Sequence, residues 1–391
     1  MTMIADHFQI HNHDDRTRLS FRVRSEAREH TIFFEWPGPS PLVPGDVAFS
    51  ACLLPAIIAG DALRVDAEVS EKLLLNADRI QALWRDWFPF IKRDIVIQPA
   101  NVISQLDSRP HESHTREKAC FFTAGVDSFY SALHHEDAPE ALIHVKGLSE
   151  FKGNQSLSDG VEANLEAAAH ELELPMYMIE TNLREFAKSY ISWVLYFGSA
   201  LGTVAHFTSA AFDTVHIGSC HPVGYPRPWG SHEKLNPLYS NQLVSITHHG
   251  DQTNRFQKIE AIANHACVHR HLWVCGKLQG EQLNCGRCEK CLRTMIALDI
   301  CGSLRLSDTL PKFLDLKRVA RTRIYARQLM DHVEENLAGA KRRQARPELI
   351  EVLEDMHHRA PSRFCNWVIT CIQEWKMHFP QLSFLAPRFR P

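Results

Sequence analysis

Cys275, Cys285, Cys288 and Cys291 stand in the spacing Cys-x9-Cys-x2-Cys-x2-Cys. Two overlapping Cys-x-x-Cys steps and one upstream thiolate make a tetrahedral four-sulfur ligand set. Zinc takes such a set in structural sites, where protein fills every coordination position. Gly286 gives the turn between the first pair its backbone freedom. An ion with four thiolates carries a net charge of about minus two, and Arg287, Lys290 and Arg293 lie where they could offset it. The plainer alternatives are buried free thiols or a disulfide pair, although packing alone rarely produces this spacing. Cys52, Cys120, Cys267, Cys301, Cys365 and Cys371 read as buried small hydrophobes. Cys220-His221 sets a thiol beside a base, but adjacent side chains rarely face each other as nucleophilic catalysis requires.

A second chemical feature is the hexapeptide Thr123-Ala124-Gly125-Val126-Asp127-Ser128, directly after the apolar run Ala119-Cys120-Phe121-Phe122. A small-residue loop between a strand and a helix lets backbone N–H groups approach a phosphate, and the helix N-terminus adds positive potential. Thr123 and Ser128 offer hydroxyls, and Asp127 could orient the loop or help hold magnesium beside phosphates. There is no lysine, so this is not the Gly-x-x-x-x-Gly-Lys-Ser/Thr loop. A plain strand-to-helix turn is the competing reading.

The elements that must position these groups follow from periodicity. Runs at 7–10, 19–23 and 31–36 read as strands, the second by clear alternation, and Pro37-Gly38-Pro39-Ser40-Pro41 is a breaker. Leu73, Ala77, Ile80, Trp84 and Trp87 share one face of a helix expected over Glu71–Trp87. Residues 104–118 are polar and read as a linker. From Ala119 the rhythm is strand, turn, helix: strands at 119–122, 141–145, 176–179 and 214–217. Val161, Leu165, Ala168, Ala169 and Leu172 mark one intervening helix, and 191–212 holds another. That alternation implies an α/β fold with a doubly wound parallel sheet. A further strand is expected at His271-Leu272-Trp273-Val274, delivering Cys275. Beyond Ser303 the chain reads as helical and charged. The expected division is a β-rich N-terminal domain over 1–114, a nucleotide-binding domain over 115–303, and a helical region over 304–391.

Taken together, the loop resembles the Ser-Gly-Gly-x-Asp-Ser loop of the PP-loop ATP pyrophosphatase superfamily, whose fold is adenine nucleotide alpha-hydrolase-like. The cysteine spacing resembles that of the 7-cyano-7-deazaguanine synthases within that superfamily. The resemblance covers roughly 119–301. It implies ATP-dependent, AMP-forming activation of a carboxylate, deazapurine-like or related, with transfer of the acyl group to a nitrogen nucleophile. It implies structural Zn2+ on the four cysteines, Mg2+ with ATP, and nucleotide contacts from Thr123 to Ser128 and from Val145-Lys146-Gly147, where a surface role for Lys146 is the alternative. Thr123 and Ala124 replace the usual Ser and Gly; the alanine is accommodated if it keeps ordinary backbone angles. The segment 218–233 departs from the family pattern yet occupies the position of a substrate loop. There Arg227 suits a substrate carboxylate, and His221, His232 and Glu233 suit proton transfer. The catalytic set implied is Asp127, Ser128, Arg227 and His232. Similar proteins with added domains occur in bacterial antiphage systems, where a deazapurine is joined to a partner protein, so a protein partner is implied and a homodimer is compatible.

Composition limits the classes. The 391 residues carry a net charge of −3, which gives no broad basic field for nucleic acid. A tRNA-thiolating relative would want that field and a cysteine pair not spent on metal. No apolar run reaches spanning length, no signal-peptide pattern opens the chain, and the unpaired thiol count fits a reducing cytoplasm. A catalytically silent binding relative is the third class.

Overall fold

Alternation builds the first strands as expected. In Arg16–Ser25 the side chains of Leu19, Phe21 and Val23 are buried while the residues between them reach solvent, the two-residue period of a strand with one wet face. Ala141–Lys146 is instead buried almost throughout, as a parallel strand covered on both faces must be. The computed structural model describes residues 1–26, 28–104, 116–148, 155–276, 283–322 and 327–359.

The strands are β1 (Thr2–His13), β2 (Arg16–Ser25), β3 (Arg28–Trp36), β4 (Ala62–Ser70), β5 (Ile97–Ile103), β6 (Glu117–Phe121), β7 (Ala141–Lys146), β8 (Met176–Thr181), β9 (Phe212–Gly218) and β10 (Ser245–His249). The helices are α1 (Pro44–Ala59), α2 (Glu71–Trp87), α3 (Val126–His134), α4 (Gln155–Glu171), α5 (Leu183–Ala187), α6 (Trp193–Phe207), α7 (Arg255–Ile262), α8 (Ala266–His271), α9 (Glu289–Ile300), α10 (Leu316–Arg321), α11 (Arg327–Arg342) and α12 (Pro347–His358).

All ten strands form one sheet in the order β10-β9-β6-β7-β8-β3-β2-β1-β4-β5. The first five are mutually parallel. The β-rich N-terminal strands continue that sheet: β3 joins β8 antiparallel through Phe34↔Thr181 and Glu35↔Glu180. The seam is extended by a side chain, because Asn182 Nδ2 donates to Thr31 O (2.8 Å) and Phe33 N–H donates to Asn182 Oδ1 (3.0 Å). The expected linker at 104–118 falls largely outside the described residues.

Within the parallel part, β8-β7-β6-β9-β10 is the order 3-2-1-4-5, and the winding direction reverses between β6 and β9. In open sheets of this kind ligands bind beyond the carboxyl ends at that reversal. The chain leaves β6 directly into Thr123–Ser128.

Two compact units divide the chain. The first, Met1–Phe121, His135–Glu150 and Pro175–Asp251, holds the sheet. In it α1 meets α6 closely, with Tyr196 Oη donating to Ala51 O (2.7 Å) and Ser199 Oγ to Ser50 O (2.9 Å). The second, Phe122–His134, Phe151–Leu174 and Gln252–Pro391, has only helices among its described elements.

One element was not foreseen and one differs from expectation. Helix α1 has no amphipathic signal, because Gly45 to Ile57 are all buried; Pro44 sits in its first turn, where a missing N–H costs nothing. The strand expected at 271–274 is absent. His271 ends α8, and the following backbone bonds to Asn284 and Ala124 rather than to a neighbouring strand. Trp87, expected with the core face of α2, is half-buried and lies edge-on to His232 at 5.0 Å.

Candidate active site and metal centre

The loop after β6 is closed by its own serine. Ser128 Oγ accepts from Thr123 N–H (3.2 Å) and Gly125 N–H (3.1 Å), and lies 3.1 Å from Gly125 O, to which it donates. Thr123 is exposed, and its Oγ1 stands 3.4 Å from Ser128 Oγ. Ala124 is fully buried at φ +51°. The condition of ordinary angles is not met: the backbone keeps the left-handed turn a glycine would make, and an L side chain there costs about 1–2 kcal/mol. Outside contacts hold it in place, since Trp273 N–H donates to Ala124 O (2.8 Å). Such strain persists only where the surroundings over-determine it.

Asp127, in the first turn of α3, faces a group of cations. Arg255 Nη1 lies 2.9 Å from Asp127 Oδ2, and Lys258 Nζ lies 3.6 Å from Oδ1. The two basic residues share a face of α7 at a three-residue spacing, and the Lys258 side chain is only 2% exposed. Burial alone would raise the Asp127 carboxyl; Arg255, Lys258 and Arg293 together hold it below the usual carboxylate range. Arg293 of α9 is pulled down to about 10 by burial and by the nearby Arg255, against Glu289. The Nε atoms of Arg255 and Arg293 are buried with no hydrogen-bond acceptor among the described residues.

Three acids face the three cations: Asp127, Glu289, whose Oε1 lies 3.5 Å from Arg293 Nη1, and Glu335. Burial raises the carboxyls of both Glu289 and Glu335, with Arg293 and Arg255 opposing. His332, driven to about 2 by burial and then by Arg293 and Arg255, is a neutral imidazole.

The four cysteines converge. Sγ separations are 3.8 Å for Cys275–Cys288, 3.9 Å for Cys285–Cys291 and 3.5 Å for Cys288–Cys291. A disulfide needs about 2.05 Å, so the pairing alternative does not hold. Zinc–sulfur bonds of about 2.3 Å in a tetrahedron put sulfurs about 3.8 Å apart. The cluster can hold a metal ion such as zinc. Arg287 N–H and Cys288 N–H reach Cys285 Sγ at 3.4 and 3.3 Å, donors that stabilise a thiolate. Gly286 has φ +63°, and a Cβ there would meet Pro311 at 2.4 Å. Both facts require glycine.

A buried asparagine that sequence reasoning passed over positions Cys275. Asn284 Oδ1 accepts from Val274 N–H (2.9 Å) and Cys275 N–H (3.1 Å), while its Nδ2 donates to Leu272 O (2.7 Å). Arg255 and Lys258 were likewise not singled out. Their signal is faint, two cations in a short amphipathic helix, and only the fold brings them to Asp127.

The remaining expected residues belong to the first unit. Val145 is buried, and Lys146 ends β7. Gly147 takes φ +88°, where a Cβ would fall 1.9 Å from Thr181 O. In the loop after β9, Arg227 Nη1 donates to Tyr225 Oη (3.3 Å) and its guanidinium lies over the Tyr225 ring. His232 has both nitrogens engaged: Lys234 N–H donates to Nδ1 (3.1 Å), so Nε2 carries the proton and donates to Tyr225 O (3.1 Å). His221 stacks on Tyr225 at 3.7 Å, and Glu233 receives Gly224 N–H on both oxygens. These contacts give the loop a defined shape. No protein-family model, curated protein or solved structure matches the chain. Among the described residues, no helix is long and apolar enough to cross a membrane.

Proposed function

We propose that the chain is an ATP-dependent, AMP-forming ligase of the 7-cyano-7-deazaguanine synthase type. It activates a carboxylate and passes the acyl group to a nitrogen nucleophile, on a small molecule or on a partner protein in a modification or defence pathway. The observation that carries this reading is the loop Thr123–Ser128 after the first strand of a 3-2-1-4-5 parallel array, with Arg255, Lys258 and Arg293 gathered at its aspartate.

A carboxylate oxygen attacks the α-phosphorus of ATP, pyrophosphate departs, and the acyl-adenylate is captured by the amine. Charge grows on the leaving pyrophosphate, so the chemistry needs fixed donors and cations more than a proton acceptor. The loop amides, Thr123, Arg255, Lys258 and Arg293 are suited to that charge. Mg2+, when bound, would neutralise the phosphates, with Asp127 as its carboxylate. Zinc on the four cysteines would be structural, since no coordination position is left for a substrate. Arg227 is proposed to take the acceptor-side carboxylate, and the hydrogen bonds of His232 make it a support for that loop as well as a proton-transfer candidate.

A second reading rests on one observation: the Thr123 and Gly125 amides are spent on Ser128, as they would be in a catalytically silent binding relative. Pyrophosphate exchange into ATP and AMP release, assayed across candidate carboxylates, separate the two. Asp127→Ala should abolish both signals, and Ser128→Ala, which removes the hydroxyl that closes the loop, should cut them at least about a hundredfold, the scale of a misplaced reacting group. Turnover by both variants at the wild-type rate would remove the loop from the chemistry.

A further inference from the structure

The second unit holds another group of metal-type ligands away from the four cysteines. Glu171 closes α4, while Cys267 and His271 lie on α8 at a four-residue spacing that puts both on one face. The carboxylate oxygen, the thiol sulfur and an imidazole nitrogen all lie within 4.8 Å of one another. Cys267 is 2% exposed, and the His271 side chain is 12% exposed. We propose that Glu171, Cys267 and His271 form a second metal site, which takes one Zn2+ on three protein ligands and leaves its fourth position to solvent or a substrate.

The orientation of the imidazole is the first argument. Asn164 Nδ2 donates to His271 O (2.9 Å), which turns Asn164 Oδ1 toward the ring, 3.0 Å from Nδ1. That oxygen can only accept, so Nδ1 carries a proton, and Nε2 points at Glu171 Oε1 (2.9 Å), a hydrogen bond that needs a second ring proton and whose place a cation would take. Metal-ligating histidines are held in this way, the far nitrogen donating to a fixed acceptor so that the near one presents its lone pair. Two ligands four residues apart on a helix, with a third from a neighbouring element, is the arrangement of three-ligand zinc sites.

The competing reading is an ion pair, because Arg270 Nε (2.7 Å to Oε1) and Nη2 (2.6 Å to Oε2) fork the same carboxylate. The two are compatible. A carboxylate offers about four lone-pair sites. A cation between Oε1 and Nε2 replaces the His271–Glu171 hydrogen bond and leaves the Arg270 fork in place, where it keeps Glu171 oriented. Cys267 Sγ donates toward Glu171 and has a long contact to Ala168 O (3.6 Å), so the sulfur stands at the point where a cation would sit. Thiolate with imidazole and one carboxylate selects zinc over magnesium or calcium, which want oxygen alone.

The test is metal content of the full chain, purified without chelator and dialysed against metal-free buffer. Wild type should retain two zinc ions per chain. His271→Gln and Cys267→Ser should each retain one, and that remaining ion shows that the four-cysteine site is intact. Asn164→Ala should weaken the second ion by about ten- to a hundredfold with the first unchanged. Cobalt substitution supplies a readout on wild type alone, which stands even if a variant misfolds. Two sets of visible bands should appear, the weaker shifted to shorter wavelength by nitrogen and oxygen ligation. A single equivalent in wild type, with a four-thiolate cobalt spectrum and no uptake of added zinc, overturns the proposal.

Discussion

Ala124 holds a methyl group in a backbone conformation that L residues resist, at φ +51° in the loop after β6. Ala124→Gly removes that strain but gives the unfolded chain more freedom to lose, an offset of about 0.4–1 kcal/mol. The net expectation is stabilisation by about 0.5–1 kcal/mol, read as a rise in the urea midpoint with unchanged slope; a fall would mean that the methyl group's packing outweighs the strain. The loop's place between a strand and a helix was legible, because a small-residue run after an apolar stretch punctuates the chain. Its angles were not legible, since alanine ordinarily signals helix and a tertiary contact from Trp273 overrides that preference. The cysteine spacing carried more, because ligation chemistry constrains sequence separation directly. Asn284 shows the limit: a lone asparagine reads as a turn, and only the fold reveals a clamp on three backbone groups.

Among the helices, one with a wet face was readable and one buried all round was not. The α2 helix appears over Glu71–Trp87 as its periodicity predicts, whereas α1, enclosed on every side, gave no period to find. The seam between β3 and β8 was also hidden, because pairing partners nearly 150 residues apart leave no local trace. Two registered pairs are little for a junction between two halves of a sheet, and Asn182 lengthens it by standing in for a strand residue. Asn182→Ala should remove both bonds, at about 0.5–1.5 kcal/mol each, and cost about 1–3 kcal/mol. Hydrogen exchange localises the effect. The Phe33 amide should lose protection by at least about tenfold, the equivalent of about 1.4 kcal/mol, while amides in β6 and β7 stay as in wild type. Uniform loss across all strands would instead mean that the sheet opens as one unit and that this side chain is no separate fastening.

At the scale of the whole molecule, α/β class and a largely parallel sheet followed from the strand–turn–helix rhythm, but the partition of the chain did not. Backbone continuity crosses between the two compact units five times, after Phe121, His134, Glu150, Leu174 and Asp251. The arrangement bears on how the protein is made. A ribosome releases the sheet strands in order and completes β10 by His249, yet α3 and α4 belong to a unit whose remaining helices begin only with α7 at Arg255. During that interval both helices are synthesised and without their final neighbours, apolar faces included. Non-local partners of this kind slow folding and leave nascent chains open to capture. Ribosome-bound chains arrested with residue 251 just outside the exit tunnel should be cut by protease in α3 and α4. Chains arrested after α9 has emerged should resist. Equal resistance at both lengths would show that those helices settle before the rest of their unit exists.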